Sequence, residues 1–367
     1  MPLKTTRGDR GAPTKGRGAP SNREGRFEAW TREPVDDGWA REDVSEEAPP
    51  RQLDTVVTRE TAKSIIARND SPDIPFDQSI NPYRGCEHGC SYCYARPSHA
   101  YLGLSPGLDF ETRIFAKTNA AALLREELAA PGYRCSSIAL GANTDPYQPA
   151  ERELGITRSI LEVLVECDHP FTIVTKSALV ERDIDLIAPM AARNLARAYV
   201  SITNLDAGLA RKLEPRAAAP YRRLETIKRL VAAGVPCGVL VAPVIPFVTD
   251  RDLEGILARA REAGATEAGY ILLRLPHEVA PLFKEWLATH YPLKGEHVTS
   301  LVRKMRGGKD YDSTFGVRHR GTGNLAELIA RRFELARERL GFDAGRRGGL
   351  DTTRFRPPGA GPQMRLF

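Results

Sequence analysis

The chain has 367 residues, 41% of them hydrophobic, which is enough to bury a large core. Its net charge of +6 is uneven, because residues 1–26 carry +5, residues 300–367 carry +8 and the residues between them carry −7. It contains no apolar stretch of membrane-spanning length, no signal-peptide core, and too few cysteines for a disulfide framework. We therefore expect a soluble cytoplasmic protein without a membrane partner, whose basic ends either bind nucleic acid or only aid solubility.

Composition divides the chain into four parts. Residues 1–50 are rich in Gly, Pro, Arg and acidic residues without apolar periodicity, which predicts a disordered basic N-terminal arm. Residues 51–295 are predicted to form the folded domain, and residues 296–341 a C-terminal loop and helix packed on it. Residues 342–367 return to Gly, Pro and Arg and are predicted to be a disordered basic tail.

From Ile80 onward, strand-like and helix-like stretches alternate. Short runs of Val, Ile, Leu and Ala, bounded by breakers, predict buried parallel strands. Beyond the strand before the cysteines, they span residues 137–141, 171–175, 198–202, 238–242 and 269–273. Helical patterns fill the intervals, so the topology is a series of right-handed βαβ units. Six such units are too few for a closed eight-stranded barrel, and they predict a partial (β/α)6 TIM-like barrel with a C-terminal helical extension and disordered termini.

Three cysteines lie close together in the loop after the first predicted strand. Their spacing is Cys86-x3-Cys90-x2-Cys93, with glycines that let the backbone turn tightly between them. Thiolates are ligands for iron–sulfur clusters and for zinc. A zinc site would need a fourth ligand, which His88 or His99 can supply, whereas three thiolates alone can hold a four-iron cluster with one iron left open.

This cysteine motif, with the aromatic Tyr92 before its last member, resembles the signature of radical S-adenosylmethionine (SAM) enzymes. The wider chain, from Asn81 to Arg339, resembles a bacterial branch related to spore photoproduct lyase and labelled DNA repair photolyase-like. The resemblance implies a [4Fe-4S] cluster and SAM as cofactors, a low-potential electron donor similar to flavodoxin or ferredoxin, and a site at the C-terminal ends of the strands.

Residues at predicted strand ends are candidates for holding SAM. Asn143 and Thr144 replace the Gly-Gly-Glu that many radical SAM enzymes carry after the second strand, and both can hydrogen-bond an ammonium, although Asn-Thr-Asp-Pro is also an ordinary turn. Lys176 ends the third strand, where its charge can pair with the SAM carboxylate. The resemblance further implies that Ser201 contacts the cofactor. It also implies that the backbone at Ala242 and the residue Tyr92 lie near the adenine.

The substrate side is less defined by the sequence. Glu214, Arg274 and Tyr147 are candidate pocket residues, although each can equally form an ordinary ion pair or pack as a core aromatic. The loop at 304–321 mixes basic and aromatic residues, a composition that suits phosphate contacts and base stacking or a lid over the barrel. Spore photoproduct lyase uses a cysteine after its second strand as hydrogen-atom donor. No cysteine occupies residues 140–145 here, so the same repair route is not expected.

Three hypotheses follow from the sequence. The first is a radical SAM enzyme that cleaves SAM reductively and acts on an unidentified substrate, with its catalytic residues left open. The second is a DNA repair lyase or another nucleic-acid-modifying radical enzyme. The third is a non-catalytic, zinc-stabilised module that binds nucleic acid through its basic ends.

Overall fold

The computed structural model describes residues 14–28, 53–342 and 348–359, which form a mixed α/β structure. The strands in these residues are β1 Val56–Glu60, β2 Ile66–Arg68, β3 Gln78–Ile80, β4 Tyr83–Arg84, β5 Arg113–Lys117, β6 Ile138–Leu140, β7 Phe171–Thr175, β8 Ala196–Ser201, β9 Cys237–Val244 and β10 Glu267–Leu272. Short 3-10 helices span Arg96–Leu102, Ala178–Asp183 and Asp250–Asp252.

The α-helices surround the sheet and extend beyond it at the C-terminal end. They are α1 Asp109–Thr112, α2 Ala120–Ala129, α3 Glu151–Leu154, α4 Ile156–Glu166, α5 Ile184–Ala192, α6 Ala207–Leu213, α7 Pro220–Ala232, α8 Leu253–Glu262, α9 Val279–His290, α10 Gly295–Lys304, α11 Val317–Arg320 and α12 Asn324–Arg339. None of the helices in residues 14–28, 53–342 and 348–359 is both long enough and apolar enough to cross a bilayer.

The main sheet confirms the predicted partial barrel. Its strand order is β10-β9-β8-β7-β6-β3-β2, in which β3, β6, β7, β8, β9 and β10 run parallel and β2 pairs antiparallel at the edge. The last parallel strand, β10, and the edge strand, β2, are not paired with each other, so the barrel is open. The six predicted strands are therefore all present, with ends displaced by at most a few residues.

The parallel strands lie in the core because helices cover their outer face. In α4, Ile160, Leu161 and Leu164 are fully buried, and they face the sheet as an apolar stripe. Gly264 joins α8 to β10 with φ +99°, and a Cβ at this position would lie 2.8 Å from Val231 of α7. Glycine is therefore required there, which explains why the predicted helix ends at this residue.

A second, smaller sheet was not predicted from the sequence. Its order is β1-β5-β4, with β1 parallel and β4 antiparallel to β5. β4 immediately precedes the three cysteines, so this sheet supports the start of the cysteine loop from outside the barrel. The short, partly exposed β1 carries little apolar periodicity, which is why the sequence gives only a weak signal for it.

The prediction of a disordered N-terminal arm is wrong for residues 14–28. Arg17, Gly18 and Ala19 are buried there, because their polar groups bond to the folded domain. The Arg17 guanidinium donates to the carbonyl oxygen of Glu111 at 3.0 Å, and the backbone amides of Gly18 and Ala19 donate to the Glu111 carboxylate at 2.9 and 2.7 Å. The rest of the predicted arm, residues 1–13 and 29–50, lies outside the described residues.

The prediction of a disordered C-terminal tail is likewise wrong for residues 348–359. Phe355 packs against the rings of Tyr133 and His169, with centroids 5.4 and 5.2 Å apart. The Arg356 guanidinium bonds the Asp168 carboxylate at 2.6 Å. Hydrogen bonds from Arg197 and Asn194 to the carbonyl oxygens of Gly348 and Gly349 also hold this segment, which has no periodic pattern. The predicted tail residues 343–347 and 360–367 lie outside the described residues.

Candidate metal and cofactor site

The three cysteines share one tight loop at the C-terminal side of β3. Cys86 and Cys90 are 7% and 8% exposed, and Cys93 is half-buried. Gly85 and Gly89 adopt φ values of +81° and +65°, and a Cβ at Gly89 would lie 2.6 Å from the Glu111 carboxylate. The backbone can follow this path only with glycine at these two positions, as the sequence predicted.

A buried ion pair supports this loop from behind. The Arg96 guanidinium, fully buried, bonds the Glu111 carboxylate, which is also fully buried. Two nitrogens of Arg96 donate to the carbonyl oxygen of Cys90 at 3.0 and 2.8 Å. Because Glu111 also accepts the amides of Gly18 and Ala19, the N-terminal segment and the cysteine loop share one charged group. We call Arg17, Gly18, Ala19, Arg96 and Glu111 the rear support of the loop.

Both histidines considered as fourth metal ligands bond elsewhere. His88 Nδ1 lies 3.3 Å from the Asp145 carboxylate, and His99 Nε2 lies 3.0 Å from the carbonyl oxygen of Arg113. Within residues 14–28, 53–342 and 348–359, no three His, Cys, Asp or Glu side chains converge on the position of a single ion. Each thiolate of a four-iron cluster binds its own iron, so a cluster does not require this convergence.

Burial raises the pKa of all three thiols. For Cys90 the pKa rises to about 12, with the nearby Glu214 carboxylate adding to the effect of burial. The pKa of Cys86 and that of Cys93 are raised by burial as well. Thiols in such a place become thiolates when a positively charged metal centre binds them. The fit to a metal cluster therefore depends on the position of the three cysteines in one loop, because burial also raises the pKa of Cys167 and Cys237 elsewhere in the chain.

Four of the six predicted cofactor residues meet beside the cysteine loop. The Lys176 ammonium donates to Ser201 Oγ at 2.8 Å and lies 3.5 Å from the Ala242 carbonyl oxygen. The Ser201 hydroxyl donates to the same carbonyl oxygen at 3.1 Å. The ammonium stands 6.0 Å from the centre of the Tyr92 ring. These residues come from three neighbouring parallel strands and the loop itself, and in the part of the chain that the structure describes Lys176 forms no ion pair.

The hydroxyl of Tyr92 ends in a buried polar network that the sequence did not reveal. It donates to the Glu214 carboxylate, which also accepts the Thr203 hydroxyl at 2.6 Å and forms an ion pair with Arg223. Burial alone would raise the pKa of Glu214, but Arg223 and Lys176 outweigh it and hold that pKa at about 2. Glu214 was a candidate pocket residue. It instead fixes the ring of Tyr92 between the second and third cysteines.

The loop after β6 contains two candidate SAM contacts, which lie in different environments. Asn143 is exposed, and its backbone amide donates to Asn81 Oδ1 at 2.8 Å. Thr144 is buried, and its hydroxyl donates to the carbonyl oxygen of Tyr83 at 2.9 Å. The exposed Asn143 side chain is therefore available to a ligand, while the Thr144 hydroxyl holds the start of the cysteine loop. Contact of either residue with SAM remains a prediction.

Asp145, the residue after Thr144, joins this loop to the next strand. Its carboxylate accepts the Thr175 hydroxyl and the Lys176 amide, both at 2.7 Å, and it faces His88 of the cysteine loop at 3.3 Å. Burial works against the charged form, but His88 and these donors lower the pKa of Asp145. From the sequence alone, this aspartate is only part of a predicted turn. The structure shows that it positions Lys176.

A cluster of basic and aromatic residues lies on the other side of the cysteine loop. Arg274 Cζ stands 4.8 Å from the Tyr94 ring centre and 5.9 Å from that of Tyr311. Its guanidinium reaches His319 Nε2 at 3.1 Å and the Tyr311 hydroxyl at 3.3 Å. We call Tyr94, Arg274, Tyr311 and His319 the mouth cluster. Tyr147, the remaining pocket candidate, is instead buried in the core.

Two open surface depressions, of about 340 and 440 Å³, lie away from this site. One is lined by residues of α7 and α8, and the other by residues 69–77 with Ser136 and Ser137. Neither is lined by a cysteine or by a residue of the mouth cluster. The cysteine loop and its neighbours at the strand ends are thus the place where candidate chemical groups collect.

The model of the radical SAM superfamily matches residues 80–260, which contain the cysteine loop and the strands up to β9. The chain is also 40% identical over 233 residues to an uncharacterized protein of Mycobacterium bovis, covering 63% of this chain and 68% of the relative. The chain belongs to the radical SAM superfamily. Members of this superfamily use a [4Fe-4S] cluster and SAM, and the protein is a radical SAM enzyme.

More distant similarities occur both in sequence and in structure. An uncharacterized protein of Methanocaldococcus jannaschii is 26% identical over 221 residues, which are 60% of this chain and 79% of that protein. Spore photoproduct lyase, solved in complex with a dinucleoside spore photoproduct, aligns with a TM-score of 0.56 and 16% identity, covering 78% of this chain and 80% of that one. At that identity the alignment establishes a shared partial-barrel fold and nothing about the substrate.

Proposed function

We propose that Cys86, Cys90 and Cys93 bind a [4Fe-4S] cluster with which the enzyme cleaves SAM reductively. When bound and reduced, this cluster supplies one electron to the sulfonium of SAM, which yields methionine and a 5′-deoxyadenosyl radical. The proposal rests on one observation: the cysteine loop lies directly beside the ammonium of Lys176, which is held at the ends of parallel strands and forms no ion pair within the described residues. Such a chemistry requires a reducing compartment and a low-potential donor similar to flavodoxin or ferredoxin, so we propose that the enzyme works in the cytoplasm.

The surrounding residues then have defined tasks. Lys176 would bind the carboxylate of SAM, because its ammonium bonds a hydroxyl and a carbonyl oxygen and forms an ion pair with no carboxylate of the residues that the structure describes. Asp145 holds the strand end that carries Lys176, through the Lys176 amide. Asn143 is exposed in the neighbouring loop, and its side-chain carbonyl oxygen would accept a hydrogen bond from the amino group of SAM. Tyr92, fixed through its hydroxyl, packs beside the cysteines and would help to exclude water from the adenosyl moiety.

Anaerobic reconstitution of the full chain with iron and sulfide tests this proposal. After reduction with dithionite in the presence of SAM, we expect close to four irons per chain and the release of 5′-deoxyadenosine. Alanine at Cys86, Cys90 or Cys93 should abolish both, whereas Cys135→Ala, a change on a half-buried cysteine outside the loop, should leave both intact. A cysteine-loop variant that still produced 5′-deoxyadenosine would contradict the proposal, as would stoichiometric zinc with no cleavage of SAM.

Lys176→Met separates binding of SAM from binding of the cluster. We expect this variant to keep its iron and its visible absorbance, while the Kd for SAM rises by about 10- to 100-fold through loss of one charge-assisted contact. Equal affinity in the variant and the wild type would remove Lys176 from the SAM site. Lys228, at the surface of α7, offers a matched control, because Lys228→Met deletes a charge far from the cysteines.

A nucleic-acid substrate is the second candidate function. It is supported by the basic and aromatic residues of the mouth cluster, which are suited to phosphate contacts and base stacking. The absence of cysteine from residues 140–145 argues for a hydrogen-atom route different from that of the lyase. Binding of single-stranded DNA that weakens steeply with salt would support this candidate, and a salt-independent or absent interaction would contradict it.

A further inference from the structure

The mouth cluster belongs to the same edge of the sheet as the cysteine loop. Arg274 follows β10 by two residues, at the C-terminal end of the last parallel strand. Tyr94 follows Cys93 directly, and its hydroxyl donates to the carbonyl oxygen of Ala142, just beyond β6. The Tyr94 ring, which contacts the Arg274 guanidinium, therefore stands between the cysteines and that charge. A molecule that touches Arg274 is next to the cysteine loop.

The charge of Arg274 is not balanced. Within residues 14–28, 53–342 and 348–359 it forms no ion pair, and its buried Nε has no hydrogen-bond partner. Two of its five N–H groups are used, by His319 and by Tyr311. A second arginine, Arg306, is 1% exposed beneath it and bonds only the carbonyl oxygens of Leu272, Leu273 and Val317. Burial and the adjacent Arg274 lower the pKa of Arg306.

His319 accepts a hydrogen bond from Arg274, because a guanidinium can only donate. Burial and the charges of Arg274 and Arg318 lower the pKa of His319 to about 4, so the imidazole is neutral near pH 7. The facing carboxylate, Asp73, forms an ion pair with Arg318 and not with Arg274. The mouth cluster thus contains a cation that its own neighbours orient but do not neutralise.

The aromatic rings give this cation a fixed direction. Tyr94 and Tyr311 both lie within 6 Å of Arg274 Cζ, at 4.8 and 5.9 Å, which restricts the guanidinium plane. Tyr94 is 42% exposed, so part of its surface is accessible to a ligand. Two arginines of the C-terminal extension, Arg303 and Arg318, are instead paired with the carboxylates of Asp310 and Asp73. A planar, oriented and unpaired guanidinium is the group that proteins use to bind oxyanions in a bidentate way.

We propose that Arg274 binds an oxyanion of the substrate, a phosphate or a carboxylate, next to the cysteine loop, with the adjoining part of the substrate resting on Tyr94. This inference rests on the proposed function, since it names the class of molecule on which the same site acts. The guanidinium supplies two parallel N–H donors and the positive charge. His319 and Tyr311 hold it in place, and Arg306 keeps the end of β10 rigid by bonding its carbonyl oxygens.

Calorimetric titration of the reconstituted full chain, without reductant and in chloride buffer, tests the proposal. The probes are phenyl phosphate, benzoate, inorganic phosphate and the neutral benzamide. We expect phenyl phosphate or benzoate to bind, and Arg274→Gln to raise the Kd about 10- to 100-fold, because a bond to a charged group is lost. Arg274→Lys keeps the positive charge but not the two parallel N–H donors of the guanidinium, so it should give an intermediate Kd. Arg303→Gln, a change at a paired arginine of the same extension, should bind within twofold of the wild type.

The outcomes separate the sources of the oxyanion. Phenyl phosphate binding about tenfold tighter than benzoate indicates a phosphate group, and the reverse order indicates a carboxylate. Benzamide binding as well as the anions, or an unchanged Kd in Arg274→Gln with an unchanged melting curve, would overturn the proposal. SAM is not cleaved in this titration. A chain that binds the anions but forms no 5′-deoxyadenosine on reduction would contradict the proposed function and not the oxyanion site.

Discussion

The two sides of the cysteine loop differ in how completely their charges are paired. On the rear support, Arg96 and Glu111 are fully buried, and the amides of the N-terminal segment complete the carboxylate's hydrogen bonds. In the mouth cluster, Arg274 is oriented by rings and a neutral imidazole but lacks a carboxylate in the described residues. Fully paired buried charges fix a structure, whereas an unpaired oriented charge is suited to an incoming partner. The rear support therefore fixes the cysteine loop in place, whereas the mouth cluster is suited to bind a ligand.

The largest effect is expected from breaking the pair in the rear support. Arg96→Met leaves the buried carboxylate of Glu111 without its cation, and it also removes two donors from the Cys90 carbonyl oxygen. We expect a loss of about 3–5 kcal/mol in the free energy of unfolding. Urea unfolding of the iron-free chain measures it. A loss below 1 kcal/mol would mean that the rear support does not hold the loop.

A smaller effect is expected when the N-terminal segment is detached. A Cβ at Gly18 would lie 1.7 Å from the Gly89 carbonyl oxygen, so Gly18→Val must push the segment off the loop. We expect a cost of about 2 kcal/mol in unfolding, and faster release of iron from the reconstituted protein to a chelator. Lys15→Ala, a change at an exposed residue of the same segment, is the control. Unchanged iron release in Gly18→Val would show that this segment does not protect the loop.

The contribution of the mouth cluster to the free energy of unfolding should depend on pH. His319 has a pKa of about 4 in the folded chain, below its usual value of 6.5, so the unfolded chain binds the extra proton first as pH falls. Stability from this group is complete above pH 6.5 and is lost progressively toward pH 4. Because the ring is only half-buried, we expect the free energy of unfolding to fall by about 1 kcal/mol over this pH range.

Urea unfolding from pH 7 to pH 4.5, compared between the wild type and His319→Gln, isolates this contribution. His169, whose pKa burial also lowers to about 4, contributes equally to both proteins and cancels in the difference. Parallel pH curves for the two proteins would contradict the assignment.

The smallest effect on stability is expected from Arg274→Met. This change removes a cation that has no carboxylate to leave unpaired, and methionine can pack between the rings of Tyr94 and Tyr311. We expect the free energy of unfolding to stay within about 1 kcal/mol of the wild type, or to rise. Thermal and urea unfolding check this result. A loss of more than about 2 kcal/mol would place Arg274 among the structural charges and remove the contrast with Arg96.

The sequence determined the parts of the protein that depend on local spacing. Cys86, Cys90 and Cys93 share one short loop because so few residues separate them, and glycines at 85 and 89 supply the required backbone angles. The alternation of apolar runs and helical patterns gave the six parallel strands, because buried strands and amphipathic helices have different hydrophobic periods. Parallel strands end at one edge, which is why Lys176 and Ser201, at the ends of β7 and β8, meet there.

Only the tertiary structure decided which distant residues come together. Residues 14–28 dock through backbone amides on the Glu111 carboxylate. Almost every residue carries a backbone amide, so the sequence cannot show which amides make such a contact. Phe355 anchors a Gly- and Pro-rich segment by one ring, too little for any periodic pattern. Arg274 meets Tyr94 across 180 positions of the chain because both lie at the strand ends of an open barrel. Local pattern fixes the elements and the cysteine loop, whereas the pairing of charges depends on contacts between residues far apart in the chain.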